Sequence, residues 1–204
     1  MLELLARLDY EIKKTWIENI GVDYSRNLLL REDCLKNAFY FHLRSRLRDG
    51  YFTRNCIRIF TEYSLGNGQR ADIAVVRVKR LSDVEDGYYL KEDMVIGPVA
   101  IIECKYLNAE RFEPFRRDAR KVERLCRRVE CSETLFYLAQ IQEGLRPAEH
   151  PSVFPRSHPP AWTEGRLTEL VGCWGEEGWS GGVHFRVLPY NRMNAGIRYR
   201  RLAT

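Results

Sequence analysis

Leu2, Leu5, Leu8, Ile12 and Trp16 recur at steps of three and four with Glu, Arg and Lys between them, which predicts an amphipathic helix over the first twenty residues. A second helix follows over 31–50 (REDCLKNAFYFHLRSRLRDG), where Leu35, Phe39, Leu43 and Leu47 repeat every four residues and Gly50 stands just past the end as a stop signal. From Asn55 the period drops to two. CIRIFTEYSL, a Gly-Asn-Gly turn and QRADIAVVRV together predict a β-hairpin. Residues 80–97 are polar and acidic and read as an extended loop or hairpin tip. PVAIIECKYL, entered through Pro98, is the nearly continuous apolar run of a central strand buried on both faces. Phe112, Phe115, Ala119, Val122, Cys126 and Val129 then trace a long helix, and ETLFYLAQIQ supplies a fourth strand. The order helix, strand, strand, strand, helix, strand predicts an α/β or α+β core around a mixed sheet.

Beyond Gly144 the pattern dissolves. Five of the eight prolines lie between Pro147 and Pro160, and six of the fourteen glycines between Gly165 and Gly182. Three of the four tryptophans (Trp162, Trp174, Trp179) fall in this stretch, too many for a disordered tail, so it is expected to pack back on the core or to dock a protein partner. GVHFRVLPY forms a last strand before a basic tail. The chain of 204 residues divides on this reading into an N-terminal helix (1–30), a core (31–143) and a Pro/Gly/Trp-rich C-terminal lobe (144–204).

Composition narrows the class without choosing a function. Hydrophobic residues at 45% and charged residues at 30% are ordinary for a globular fold. No run approaches the ~20 apolar residues of a membrane helix, and the N-terminal leucines are interrupted by charges, so a soluble, cytoplasmic protein is expected. The six cysteines contain no C-x-x-C pair, which argues for reduced thiols. His42, His150, His158 and His184 make no metal-spaced pair, and no phosphate-binding G-x-x-x-x-G-K-[ST] loop is present. The net charge of +5 permits a polyanionic partner and does not demand one.

The chemistry lies in RADIAVV and AIIECKY. Strand alternation puts Glu103 and Lys105 on one face and Cys104 on the other, so an acid and an amine stand side by side on an otherwise apolar strand. Burying either alone costs several kcal/mol unless it is paired or bound to a metal. Asp72, early in the preceding strand, offers a second carboxylate, and Mg²⁺ binds through one or two carboxylates together with water and phosphate.

Asp72 followed by Glu103-Cys104-Lys105 resembles the active-site signature of the PD-(D/E)xK nuclease superfamily, and the element order matches that family's restriction-endonuclease-like core over roughly residues 31–142. Ala71 stands where the motif's proline would be, and the 31-residue spacing from Asp72 to Glu103 is long because of the acidic insertion. The resemblance implies that Asp72, Glu103 and the backbone carbonyl of Cys104 ligate Mg²⁺ or Mn²⁺, and that Lys105 holds or deprotonates the attacking water. It implies a metal-dependent nuclease acting on nucleic acid, DNA before RNA, by analogy in defence, repair or a mobile element. The alternative is a Glu–Lys pair that only holds the sheet together, in a catalytically silent nucleic-acid-binding or scaffold subunit.

Two acids could complete the site. With Leu65 opposite Gln69, Glu62 falls across from Asp72 on the same face, whereas a one-residue slip turns it away. Glu32 lies on the inward stripe of the second helix, where the resemblance implies a metal-reaching glutamate; a helix-dipole role is the other reading. On the helix after the motif strand, Arg117, Lys121 and Arg124 are candidates for phosphate contact, against the plain alternative of a solvated face.

Overall fold

The N-terminal stripe folds as α1 (Leu2–Lys14), passes through a π-helical turn at Thr15–Ile20 and ends in α2 (Gly21–Ser25). The computed structural model describes residues 2–80, 91–107, 113–128, 131–143, 153–154, 159–175 and 178–190. Of the stripe residues Leu8, Ile12 and Trp16 are fully buried, as is Ile20 beyond them, while Leu2 at the helix start is exposed. The next helix, α3 (Glu32–Arg54), buries Leu35, Phe39, Leu43 and Leu47 as their spacing predicts. It does not stop at Gly50. The break falls at Arg48, whose φ is +63°, and a last turn continues through Gly50 because Phe52 is buried in the core beyond it. A glycine inside a helix costs only about 1 kcal/mol, less than burying a phenylalanine returns.

The hairpin forms as its sequence predicts: β1 (Ile57–Ser64) pairs antiparallel with β2 (Arg70–Val78), from Ile57 opposite Arg77 to Ser64 opposite Arg70. All three residues of the Gly66-Asn67-Gly68 turn have positive φ, a conformation open to glycine and tolerated by asparagine. The central strand is longer than its apolar run suggests. β3 (Val95–Leu107) begins three residues before Pro98, after a 3-10 turn at Lys91–Met94; residues 81–90 of the acidic stretch lie outside the described residues. Pro98 sits opposite Val76, beside a register shift between Val75 and Val76, so its missing N–H falls at an irregular point of the ladder. The next helix is α4 (Glu113–Cys126); Phe112 and Val129 of the predicted stripe lie outside the described residues. β4 (Leu135–Gln142) runs parallel to β3 and is buried along its whole length.

Among its described residues, the expected C-terminal lobe is in large part sheet. β5 (Leu167–Gly175) pairs parallel with β4, and β6 (Gly178–Pro189) pairs antiparallel with β5, giving one six-stranded mixed sheet in the order β1-β2-β3-β4-β5-β6. Gly172 reads as loop in sequence, yet its role is a close approach: a Cβ there would lie 2.7 Å from the ring of Phe185 on β6. Trp174 turns inward against Tyr24, and Trp162 meets Phe154 edge-on, so these tryptophans pack within the chain rather than presenting a docking face. The segment around Pro147 and the side chain of Trp179 lie outside the described residues.

Helices cover both faces of the sheet. On one, α1 and α3 pack over Ile59, Ile73, Val75, Ile102 and Cys104; on the other, Ala119, Val122 and Leu125 of α4 pack over Ala74, Val76, Ile101 and Leu138. All six cysteines are free thiols. Among the described residues no helix is long and apolar enough to cross a membrane.

Candidate active site

The ladder between β2 and β3 closes with Ile73 opposite Ile102, and one step further brings Asp72 across from Glu103. There the Asp72 carboxylate accepts the N–H of Cys104 at 2.7 Å, taking a donor that a regular ladder would give to a carbonyl. Strand alternation puts both acids on the face covered by α4, while the Cys104 thiol is buried in the opposite core. Glu103 is only 3% exposed. Its Oε2 accepts from Lys121 Nζ of α4 at 2.6 Å, and its Oε1 is buried with no hydrogen-bond partner among the described residues.

Lys105, two residues along the same face, donates to Glu32 at 2.8 Å and lies 3.6 Å from Asp118 of α4. Glu32 is the first residue of α3, so the helix terminus delivers its carboxylate to the end of the sheet. One turn later Lys36 bonds to Glu62 and stands 3.2 Å from Asp33. Four carboxylates (Glu32, Asp72, Glu103, Asp118) thus share two ammonium groups, Lys105 and Lys121.

The electrostatics reflect this imbalance. Burial pushes the Glu103 carboxyl up to about 7, against the opposing pull of Lys121 and with further upward pressure from Asp72. Asp72 and Asp118 are also raised, burial being the main cause in each; the Cys104 N–H and Lys121 work against it at Asp72, Lys105 and Lys121 at Asp118. Burial opposes the charge on Lys105, but its bond to Glu32 and the field of Asp118 outweigh that and raise its pKa, so it is an ammonium at neutral pH.

Asp72, Glu103 and Lys105 therefore meet at one end of the sheet, and Glu32 joins them through Lys105. The register inferred for Glu62 holds: Leu65 N–H bonds to Gln69 O, and Tyr63 and Thr61 pair with Ala71 and Ile73. The backbone at Glu62 nevertheless has φ +52°, and its carboxylate is exposed and bonds to Lys36, so register alone does not carry it to Asp72. Lys121 belongs to this cluster through Glu103, instead of standing with Arg117 and Arg124 on the outer face of α4. The side chains of those two arginines are exposed and make no hydrogen bond or ion pair among the described residues. The Cys104 peptide meets the site through its N–H, bonded to Asp72.

Asp118 and Lys36 are the members that motif reasoning passed over, while Lys121, expected at phosphates, bonds to Glu103. Asp118 carried a signal: it lies three residues after Phe115 and four before Val122, on the buried side of an amphipathic helix.

Among the described residues, no group of three or more His, Cys, Asp or Glu side chains is close enough to enclose a metal ion. The fit to a divalent cation rests on fewer ligands. Asp72 and Glu103 face each other in a desolvated place, and the Glu103 Oε1 lacks the partner that a buried carboxylate oxygen requires. Mg²⁺ takes one or two carboxylates and completes its shell with water and phosphate oxygens. No protein-family model, no curated protein and no solved structure matches this chain.

Proposed function

We propose that the chain is a metal-dependent nuclease with a restriction-endonuclease-like core, hydrolysing phosphodiester bonds in nucleic acid, with DNA as the leading substrate. The observation that carries the reading is the buried, unpartnered Oε1 of Glu103, across from Asp72 and two residues from an ammonium on the same strand face. Asp72, Glu103 and the Cys104 carbonyl would hold Mg²⁺ or Mn²⁺. Such an ion, when bound, supplies a more acidic water and polarises the phosphoryl oxygen.

The chain's own groups supply the rest. Lys105 is fixed by Glu32 and Asp118 and keeps its charge, which suits it to donate to the attacking water and to offset negative charge on the phosphoryl oxygens rather than to act as the base. Lys121 holds the Oε2 of Glu103 and compensates the site's negative charge.

A second reading has one observation in its favour. Lys121 on Glu103 and Lys105 on Glu32 already neutralise two of the acids, as a silent binding subunit on this fold would also have them. Cleavage assays on single-stranded, duplex and branched DNA and on RNA, with Mg²⁺ and with Mn²⁺, separate the two. The nuclease reading expects a metal-dependent product that Lys105→Ala removes while leaving substrate affinity nearly unchanged, since the interaction lost is made in the transition state. Failure of the whole panel to give a Lys105-dependent product overturns it.

A further inference from the structure

At the opposite end of β2 and β3 from the carboxylates lies a groove of about 800 Å³, within the range of a ligand pocket. It is lined by Arg54 at the end of α3, Arg58 on β1, and Lys79 and Arg80 just past β2, together with the apolar Val78 and Met94. No acidic side chain lines it among the described residues. Arg58 is tied down by the carbonyls of Ile57 at 2.7 Å and Phe52 at 3.4 Å. The side chains of Arg54, Lys79 and Arg80 are exposed and make no hydrogen bond or ion pair among the described residues.

The groove also contains an aromatic surface. Phe60 is 41% exposed, and its ring lies stacked near Tyr63, with centroids 6.2 Å apart and planes 17° from parallel. Both residues are on β1, the edge strand of the sheet. Phe60 pairs with Ala74 and Arg58 with Val76, and these partners belong to the cluster under α4. Arg58 and Phe60 therefore stand on the sheet face that also carries Asp72 and Glu103. The six residue steps of β2 from Asp72 to Val78 span ~20 Å at the rise of a strand, about six steps of stacked nucleotide at ~3.4 Å.

Unpaired cations around an exposed ring, with no acid between them among the described residues, match a chain of alternating phosphates and flat bases. We propose that this groove binds a single-stranded segment of nucleic acid, with phosphates on Arg54, Lys79 and Arg80 and a base stacked on Phe60. Every base offers a π-face, so such a site is tolerant of sequence. The inference deepens the nuclease reading by giving the substrate a holding point distant from the carboxylates, but binding can be tested without cleavage.

The test is fluorescence anisotropy in EDTA with labelled dT15, U15 and a 15-base-pair duplex. Phe60→Ala should weaken dT15 or U15 binding about ten-fold through lost stacking. Lys79→Ala with Arg80→Ala should lower the salt slope by about 1.4, at ~0.7 per single-strand phosphate contact. Phe41→Ala, an exposed phenylalanine on α3 away from the groove, should bind as wild type does. The dT15 and U15 arms show whether the held strand is DNA or RNA. Wild-type affinity in both groove variants overturns the site, as does a preference for duplex that Phe60→Ala does not alter. The outcomes also separate from those of the nuclease reading: Phe60-dependent binding without cleavage leaves this site standing alone, and cleavage at unchanged KM in Phe60→Ala removes it while sparing the nuclease.

Discussion

The molecule contains two acid–lysine pairs of the same 2.6 Å length, each with its acid buried, and they differ in how their other atoms are satisfied. In α1, Asp9 is 0% exposed and Lys13 1%; the second Asp9 oxygen accepts the Tyr137 hydroxyl of β4 at 2.8 Å. Both Asp9 oxygens are bonded and the pair lies closed inside the core. In the second pair Glu103 is nearly as deep, but Lys121 is 21% exposed, one carboxylate oxygen has no partner among the described residues, and Asp72 stands opposite. A closed pair reads as architecture, because its desolvation is offset within the fold. An open pair facing another acid leaves a cost uncompensated, and such costs concentrate where a ligand supplies the missing contact.

The largest expected effect is on the closed pair. Asp9→Ala breaks a buried ion pair and removes the acceptor of Tyr137, so unfolding free energy in urea should fall by about 3–5 kcal/mol. Any cleavage, corrected for the folded fraction, should stay at the wild-type level. Loss of activity without loss of stability would mean that the comparison is drawn the wrong way round.

Glu103→Gln should do the reverse. The amide keeps the shape while removing the charge, so metal-dependent turnover should fall by about 10²–10³-fold, with stability in EDTA unchanged or higher. Wild type should gain melting temperature with Mg²⁺ or Mn²⁺, because an ion bound only by the native state stabilises it by mass action. Asp72→Ala and Glu103→Gln should both lose that gain. A variant that still responds as wild type does would place the ion elsewhere.

The pH dependence sharpens the contrast. The Glu103 carboxyl is pushed up to about 7 by burial, from an ordinary 4.5. Between these values the folded chain keeps a proton that the unfolded chain has released, so this group's contribution is complete below 4.5 and is lost as pH rises toward 7. The full loss is roughly 3 kcal/mol at 1.36 kcal/mol per pH unit. Asp72 and Asp118 are shifted the same way and add to the slope, so the quantity to measure is wild type minus Glu103→Gln in EDTA. A difference that does not vary from pH 4.5 to 7 would remove Glu103 as the titrating group.

Much of the site was legible because strand grammar is local. The Gly66-Asn67-Gly68 turn sets the hairpin register, and period two places Glu103 and Lys105 on one face. Two kinds of feature were not legible. Long side chains ignore periodicity at their tips, so Lys121, read as part of a polar face, reaches Glu103, and Lys36 draws Glu62 away from the direction its register suggests. β5 was hidden because a strand buried on both faces shows no alternation, and its Glu169 is made tolerable by distant partners: the Tyr190 hydroxyl, the Val153 N–H and the Gln140 amide. No neighbour in sequence announces those bonds.

The smallest expected effect concerns the arginines that remain on the outer face of α4. With Lys121 assigned to Glu103, Arg117 and Arg124 are left as the candidates for phosphate contact there, exposed and without partners among the described residues. A contact to the phosphate backbone releases counterions, so each arginine that makes one should carry ~0.9 of the log-log salt slope on duplex DNA. Replacing both by Ala should therefore lower the slope by about 1.8, weaken binding alike for unrelated sequences, and leave the melting temperature almost unmoved, because neither side chain supports the fold. Lys121→Ala should behave differently: it uncovers Glu103, so its main effects should fall on stability and on the metal response, with little change in slope. If all three substitutions lower the slope equally, Lys121 leaves Glu103 when nucleic acid binds, and the open pair is then a contact that the substrate itself exchanges.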